Sequence, residues 1–420
     1  MKKENSKRYF QFMLIILAAG SIYPLIYLKA QYQETILQVY NMSIQQLNWI
    51  YTILGFVFIL GYFPSGMLCD KFSAKNLLTL SLLGTAIGGF WFAQVPSYNS
   101  VIIIFAIWGI FSVFTFWGAH LKVVKMLSTA NEDGRFFGIL DSGRGLVEAV
   151  LASIALAIFT GKLGAGVDVA SQKAAIVPVI YMYSIVLLVI AVLIYIFVKE
   201  DTNLNIEETT DQEESKFKFS DLGKIFKNKY VLYQGLIIFA GYTLYWTNYY
   251  FSGYLQTSVG IAPATVGTIM VAVLWMRPIG GLLGGIAADK IGKSITIAVA
   301  LVGGSLCLLV LALAPKTLPI TFFSALIVIT GLVLYIIRGT YWSLLGESKI
   351  DNVLMGTAIG VISFIGYLPD ILIPYLNTFL WDNLSDAAAN KTYFLVSMGI
   401  GLVGAFVAIL YRKARKSEKV

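Results

Sequence analysis

Gly285-Ile-Ala-Ala-Asp289-Lys290-Ile-Gly292-Lys293 closes a long apolar run, and Gly66-Met-Leu-Cys-Asp70-Lys71-Phe-Ser73-Ala74-Lys75 closes another, with the two aspartates 219 residues apart. Nearly the same offset recurs elsewhere. Gly134-x3-Gly138-x9-Glu148 matches Gly356-x3-Gly360-x9-Asp370 at 222, and Trp117-Gly118 matches Arg338-Gly339 at 221. Three weak registers at one spacing, on corresponding apolar runs, read as two homologous halves.

The runs themselves set the solvent. Of 420 residues, 58% are apolar and 13% charged, and the mean hydropathy is +0.76. A soluble domain carries about 25% charged residues, so this chain lives mostly in lipid. Apolar stretches long enough for a hydrocarbon core of about 30 Å recur at 10–31, 45–68, 76–94, 100–121, 137–160, 176–198, 230–254, 264–288, 295–314, 319–344, 357–381 and 392–411. The expected architecture is an all-α polytopic membrane protein with twelve transmembrane helices. A six-span half at 1–198 and a second at 230–420 are joined by a polar segment at 199–229, acidic at first and then basic and amphipathic. The first run is too long for a secretory signal and is expected to stay in the protein. Cys69 and Cys307 read as packing residues.

The net charge of +8 reflects topology. With both ends on one side, that side holds 23 Lys and Arg and the other only Lys29, Lys162, Lys173, Lys316 and Lys391. The positive-inside rule then puts both termini in the cytoplasm, and nucleic acid drops out as a partner. No Walker loop, metal-ligand spacing, nucleophile elbow or dinucleotide fingerprint occurs, so the sequence points to no cofactor, no metal and no enzymatic reaction.

The paired Gly-x-x-x-Asp-Lys loops, the six-plus-six layout and the central polar segment resemble the major facilitator superfamily. The resemblance covers nearly the whole chain; the first loop departs from the pattern at Ser73 and Ala74. It implies two pseudo-symmetric six-helix bundles about a central cavity, a monomer working by alternating access in a cell membrane. It also implies a gating role for Gly66, Asp70, Lys71, Gly285, Asp289 and Lys290, whose acids would cap neighbouring helices and meet basic groups. A topology-setting charged turn is the plainer reading of the same loops.

Six charged residues fall inside the spans: Asp141, Arg144, Glu148, Arg277, Arg338 and Asp370. Each costs about 2.5–3.5 kcal/mol at the centre of a span, so they should pair or line a cavity. Asp141, Arg144 and Glu148 lie on one helix face, where Arg144 can pair with either acid. That is a self-neutralising triad, or a site where Glu148 takes up protons, with Asp370 as its counterpart in the second half. The resemblance further implies that Glu148 and Arg277 face one another. Arg277 and Arg338 replace Phe58 and Trp117 of the first half, and their guanidinium groups, like that of Arg144, suit an anionic substrate as well as an ion pair. Tyr23, Tyr27, Trp117, Tyr242, Tyr245, Trp246 and Asn248 supply aromatic and polar walls, most of them also readable as packing. The expected function is a secondary active transporter of a small, anionic organic solute, coupled to protons through Glu148, Asp370 or Asp141. Export or exchange of amphipathic compounds is the alternative.

Overall fold

A computed structural model describes residues 2–128, 133–164, 166, 168–199, 228–347 and 355–417. Among them there is no β-strand. The polar segment expected at 199–229 lies outside the description from 200 to 227, as does the side chain of Asp70.

The first half runs α1 (Lys2–Ile26), α2 (Lys29–Val39), α3 (Ile44–Lys71), α4 (Ala74–Phe92), α5 (Tyr98–Gly109), α6 (Trp117–Leu127), α7 (Asp133–Leu163) and α8 (Val169–Phe197). The second runs α9 (Lys229–Trp246), α10 (Phe251–Thr257), α11 (Pro263–Ile291), α12 (Lys293–Leu313), α13 (Ile320–Thr340), α14 (Met355–Gly366), α15 (Pro369–Asn383) and α16 (Asp386–Ser417). Ten of the resulting helical stretches are long and apolar enough to cross a membrane. The two remaining expected spans coincide with α4 and α9. Lys75 and Asn76 dilute the first, and five tyrosines and tryptophans within Tyr230–Trp246 dilute the second.

Helix boundaries follow local chemistry. Ser43 opens α3 with a reciprocal capping box to Gln46, and Asp168 opens α8 by accepting from the Ser171 amide at 2.9 Å. The two signature turns solve one problem in two ways. Gly292 precedes α12 at φ +93°, where a side chain would be strained, while Ser73 precedes α4 at φ −58° and accepts from the Asn76 amide.

The described chain forms two compact units. One comprises 1–200, 249–278 and 374–384; the other comprises 201–248, 279–373 and 385–420. The first thus holds segments from both halves of the sequence, while the second holds none of 1–198. In the first, α4 packs on α8 and α1 on α7; in the second, α12 packs on α16 and α13, and α9 on α16 and α14.

Spans one and seven break at matching places. α1 stops at Ile26 and resumes as α2 at Lys29, with Tyr32 non-helical, and α9 stops at Trp246, passes through a 3-10 turn at Thr247–Tyr249 and resumes at Phe251. Lys29 and Tyr250 are 221 residues apart, on the repeat offset. Interrupted helices free backbone groups that lipid cannot satisfy, so such breaks persist only where protein or water meets them.

Candidate functional site

In the first unit, the acids of α7 are gathered by an arginine from α11. Arg277 Nη1 binds Glu148 Oε2, and its Nη2 lies 3.6 Å from Asp141 Oδ1. The side chains of Arg277 and Glu148 are 7% and 12% exposed, that of Asp141 63%, so the group reaches from a buried position towards an exposed one. Space for the arginine stem comes from Gly145, where a Cβ would stand 2.8 Å from Arg277 Cδ. Arg144, expected to neutralise its helical neighbours, turns away. Its guanidinium lies 5.5 Å from the Tyr23 ring centre and forms no ion pair with Asp141 or Glu148. The longer reach of Arg277 across the Gly145 slot leaves both acids already engaged.

Tyr23 donates to the Ser112 carbonyl at 3.0 Å, and Tyr27 stacks on Tyr249 at 4.5 Å between rings inclined by 16°. Trp117 meets Tyr62 and His120 edge-on, and the buried His120 stacks on Phe116. Tyr23 brings these aromatic residues up to the Arg144 guanidinium.

The second unit treats its acid differently. Asp370, only 2% exposed, accepts hydrogen bonds at Oδ1 from Tyr242 Oη at 2.8 Å and from Trp246 Nε1 at 3.0 Å. It forms no ion pair among the described residues. Arg338 lies 4.2 Å from the ring centre of Tyr245 and 5.9 Å from that of Tyr242. The two tyrosines stack at 5.8 Å, Tyr367 meets Tyr242 edge-on at 4.9 Å, and Trp342 Nε1 donates to Tyr367 Oη at 2.9 Å. Asn248 is buried with both amide atoms unbonded. A cation presented on aromatic faces, beside a carboxylate held by neutral donors, can bind an anionic group and exchange a proton at adjacent points.

Of the signature residues, Lys71, Gly285, Asp289 and Lys290 are exposed near the ends of α3 and α11. Gly66 and Asp70 lie on the helical backbone of α3, and the side chain of Asp70 falls outside the described residues. Nearby contacts come from residues that motif reading passed over. Gly118 N donates to Ser65 Oγ at 2.8 Å, Lys122 Nζ reaches the Cys69 carbonyl, and Lys293 Nζ reaches the Ser343 carbonyl at 3.0 Å. Among the described residues no group of His, Cys, Asp and Glu is placed to hold a metal ion.

Sequence reading also missed Lys29. Counted there as a charge outside the spans, it is wholly buried, with Nζ 4.2 Å from the Tyr51 ring centre and 4.0 Å from that of Tyr250. The repeat offset linking Lys29 to Tyr250 was available as a signal. That α2 carries the helix on to Val39, beyond the expected limit of 31, was not.

A family model described as the Major Facilitator Superfamily matches residues 9–374. Among curated relatives, the inner membrane protein YqcE of Escherichia coli is 26% identical over 100% of this chain and 98% of its own. The inner membrane protein YihN of the same organism is 26% identical over 99% and 98%. Among solved structures, a single-site variant of the nucleoside transporter NupG superposes with a TM-score of 0.74 at 14% identity, covering 96% of this chain and 99% of that one. A bacterial homologue of the human lysosomal transporter Spinster, in an inward-facing and occupied conformation, superposes at 0.69 and 12%, covering 96% of each chain. These two likenesses concern the fold. With the family model spanning most of its length, and with helices built to cross a membrane, the chain belongs to the Major Facilitator Superfamily and is a membrane transporter.

Proposed function

We propose that this transporter is a secondary active carrier of a small, anionic organic solute, coupled to protons. The observation that carries the reading is the second unit's cluster, in which Arg338 lies over Tyr245 and Tyr242 while Tyr242 also holds Asp370. A guanidinium keeps its charge at any working pH and can grip a carboxylate or phosphate through two parallel hydrogen bonds. The surrounding rings suit a planar or sugar-like body. Asp370 is the proton carrier in this reading, because a buried carboxylate with only neutral donors gains from protonation once substrate fills the site. Arg277 with Glu148 and Asp141 serves as an ion-pair element that holds α7 to α11, and Arg144 with Tyr23, Tyr27 and Trp117 lines the solute's path.

On this reading the two six-helix halves at 1–198 and 230–420 move as the working bundles of a monomer by alternating access, with 199–229 and both termini in the cytoplasm. The signature turns at Gly66–Lys71 and Gly285–Lys290 act as gates.

A thermal-shift screen of the purified chain, using organic anions, inorganic anions, neutral sugars, nucleosides and lipophilic cations, tests the substrate class. Ligand at 100 times its dissociation constant adds about 2.7 kcal/mol. Stabilisation by an anion, lost in Arg338→Gln, is the expected result. Stabilisation by lipophilic cations alone would replace this reading with an exchange carrier for amphipathic compounds. In proteoliposomes, Asp370→Asn is expected to abolish uptake driven by a pH gradient while leaving exchange of solute intact.

A further inference from the structure

α9 and α13 pack against each other in the second unit, and the face that α9 turns towards α13 can be followed turn by turn. Gly241 comes first, where a Cβ would stand 2.6 Å from Ile337 Cγ2. Tyr245 follows, edge-on to Tyr335 at 5.8 Å and with the Arg338 guanidinium 4.2 Å from its ring centre. Beyond Trp246 the helix tightens into the 3-10 turn at Thr247–Tyr249, and in such a turn positions three apart eclipse. The next residue on this face is therefore Asn248, its Cβ about 5–6 Å from that of Tyr245.

Asn248 is 5% exposed, and neither polar atom of its amide has a hydrogen-bond partner among the described residues. The large majority of buried polar side-chain atoms are bonded, and each exception needs an explanation. Polar groups beside it in the chain are committed elsewhere. Trp246 Nε1 donates to Asp370 Oδ1, and Thr247 Oγ1 donates to the Leu244 carbonyl at 2.6 Å. An amide with both edges open offers an acceptor and a donor side by side. Two hydroxyls on adjacent carbons answer that pair, one donating to Oδ1 and the other accepting from Nδ2. A broken helix is also where membrane carriers hold their solutes.

We propose that Asn248 sets the specificity of this carrier by binding a pair of adjacent hydroxyls on a solute whose carboxylate rests on Arg338. The inference rests on the reading that the solute is anionic, and it narrows that class to carboxylates bearing a vicinal diol. Arg338 and Asn248 divide the work, because both are placed against Tyr245 on one face of α9. The guanidinium takes any carboxylate that fits, whereas the amide distinguishes a hydroxylated chain from a bare one. Rejection follows from the same chemistry, since a bare chain leaves the buried amide dry and unbonded.

The test is a thermal-shift titration of the full chain in detergent with matched sodium salts: gluconate against hexanoate, glycerate against propionate, and tartrate against succinate. In the unaltered chain the diol of at least one pair should bind about tenfold more tightly than its deoxy partner, the worth of one net hydrogen bond. In Asn248→Leu that preference should vanish while the deoxy affinity holds, because Arg338 still takes the carboxylate. Arg338→Gln should abolish the response to both members. A preference that is missing from the unaltered chain, or that persists in Asn248→Leu, would overturn the inference and leave the anionic reading standing. Equal weakening of both members in Asn248→Leu would also overturn it, since a structural part does not distinguish them. If none of the six salts binds, the inference falls, and the wider screen of anions decides separately whether the anionic reading falls with it. The ligand-free melt guards against a folding artefact. Replacing an unbonded buried amide by an apolar side chain of similar volume removes a desolvation cost, so the Tm of Asn248→Leu should hold or rise. A fall would show that the amide is already satisfied in the ligand-free protein, and the proposal would be wrong.

Discussion

Glu148 and Asp370 occupy equivalent places in the repeat, 222 residues apart, and the two units give them opposite surroundings. Glu148 meets a full counter-charge, Arg277, which also reaches Asp141. Asp370 meets the hydroxyl of Tyr242 and the indole N–H of Trp246. A carboxylate so placed serves as the counter-charge of a buried guanidinium, which its removal would strand. A carboxylate held by neutral donors keeps both forms within reach, because a hydroxyl can turn from donor to acceptor. The same register in one ancestral repeat has thus become a fastener in one unit and a proton site in the other, as we propose.

The sharpest way to break this contrast is to remove the counter-charge. Arg277→Met leaves Glu148 largely buried without a partner, and breaking such a pair costs about 3–5 kcal/mol. The expected outcome is a large fall in Tm in detergent, with more than half recovered in Arg277→Met/Glu148→Gln, where the stranded charge is gone. If the single and double variants melt together, the pair is not what holds this part of the unit.

A milder probe leaves the charges in place and moves them. In Gly145→Ala the new methyl meets the arginine stem at 2.8 Å and must push the guanidinium along. The expected cost is about 1 kcal/mol, the low end for overpacking. It should disappear in an Arg277→Met background, because contacting residues are not additive. An unchanged cost there would assign the effect to the α7 backbone instead of the slot.

Asp370→Asn should cost less again in stability, under about 1 kcal/mol, since the amide oxygen still accepts from Tyr242 and Trp246. Its effect on proton-driven uptake should nevertheless be complete. Glu148→Gln should show the reverse order, with a clear loss of Tm and a retained pH gradient response. Swapped results would exchange the roles assigned to the two acids.

Much of this was legible in the chain. Repeat offsets and apolar lengths carried the fold, since a lipid solvent leaves a helix little alternative. Spacing placed Asp141 and Glu148 on one face, and the family resemblance put Arg277 opposite. What spacing could not show was which arginine would win. Arg144 is nearer in sequence, but the absence of a side chain at Gly145 admits Arg277 from another helix, and that depends on packing between elements. Lys29 was hidden for a related reason. A lysine near the end of an apolar run normally reaches water, and only the return of Tyr250 and the helix break bury it. Spans α4 and α9, read from apolar length like the others, form their helices although Lys75, Asn76 and five aromatic residues dilute them.

A third carboxylate sets the scale for the other two. Asp168 stands in water at the start of α8, where the Ser171 backbone N–H, and then the Ser171 hydroxyl, hold its carboxyl below the usual carboxylate range. Because the folded value is lowered, its contribution is complete above the unfolded value of about 3.9 and is lost as pH falls through the folded one. Acidification should therefore fray the first turn of α8, seen as faster amide exchange at Ser171, and Asp168→Asn should flatten that pH response while keeping the cap. The effect should be the smallest of the series, since water competes for every hydrogen bond there. If instead Asp168→Asn changed transport as much as Asp370→Asn does, solvent exposure would not be what separates a structural carboxylate from a working one, and the contrast between Glu148 and Asp370 would need another cause.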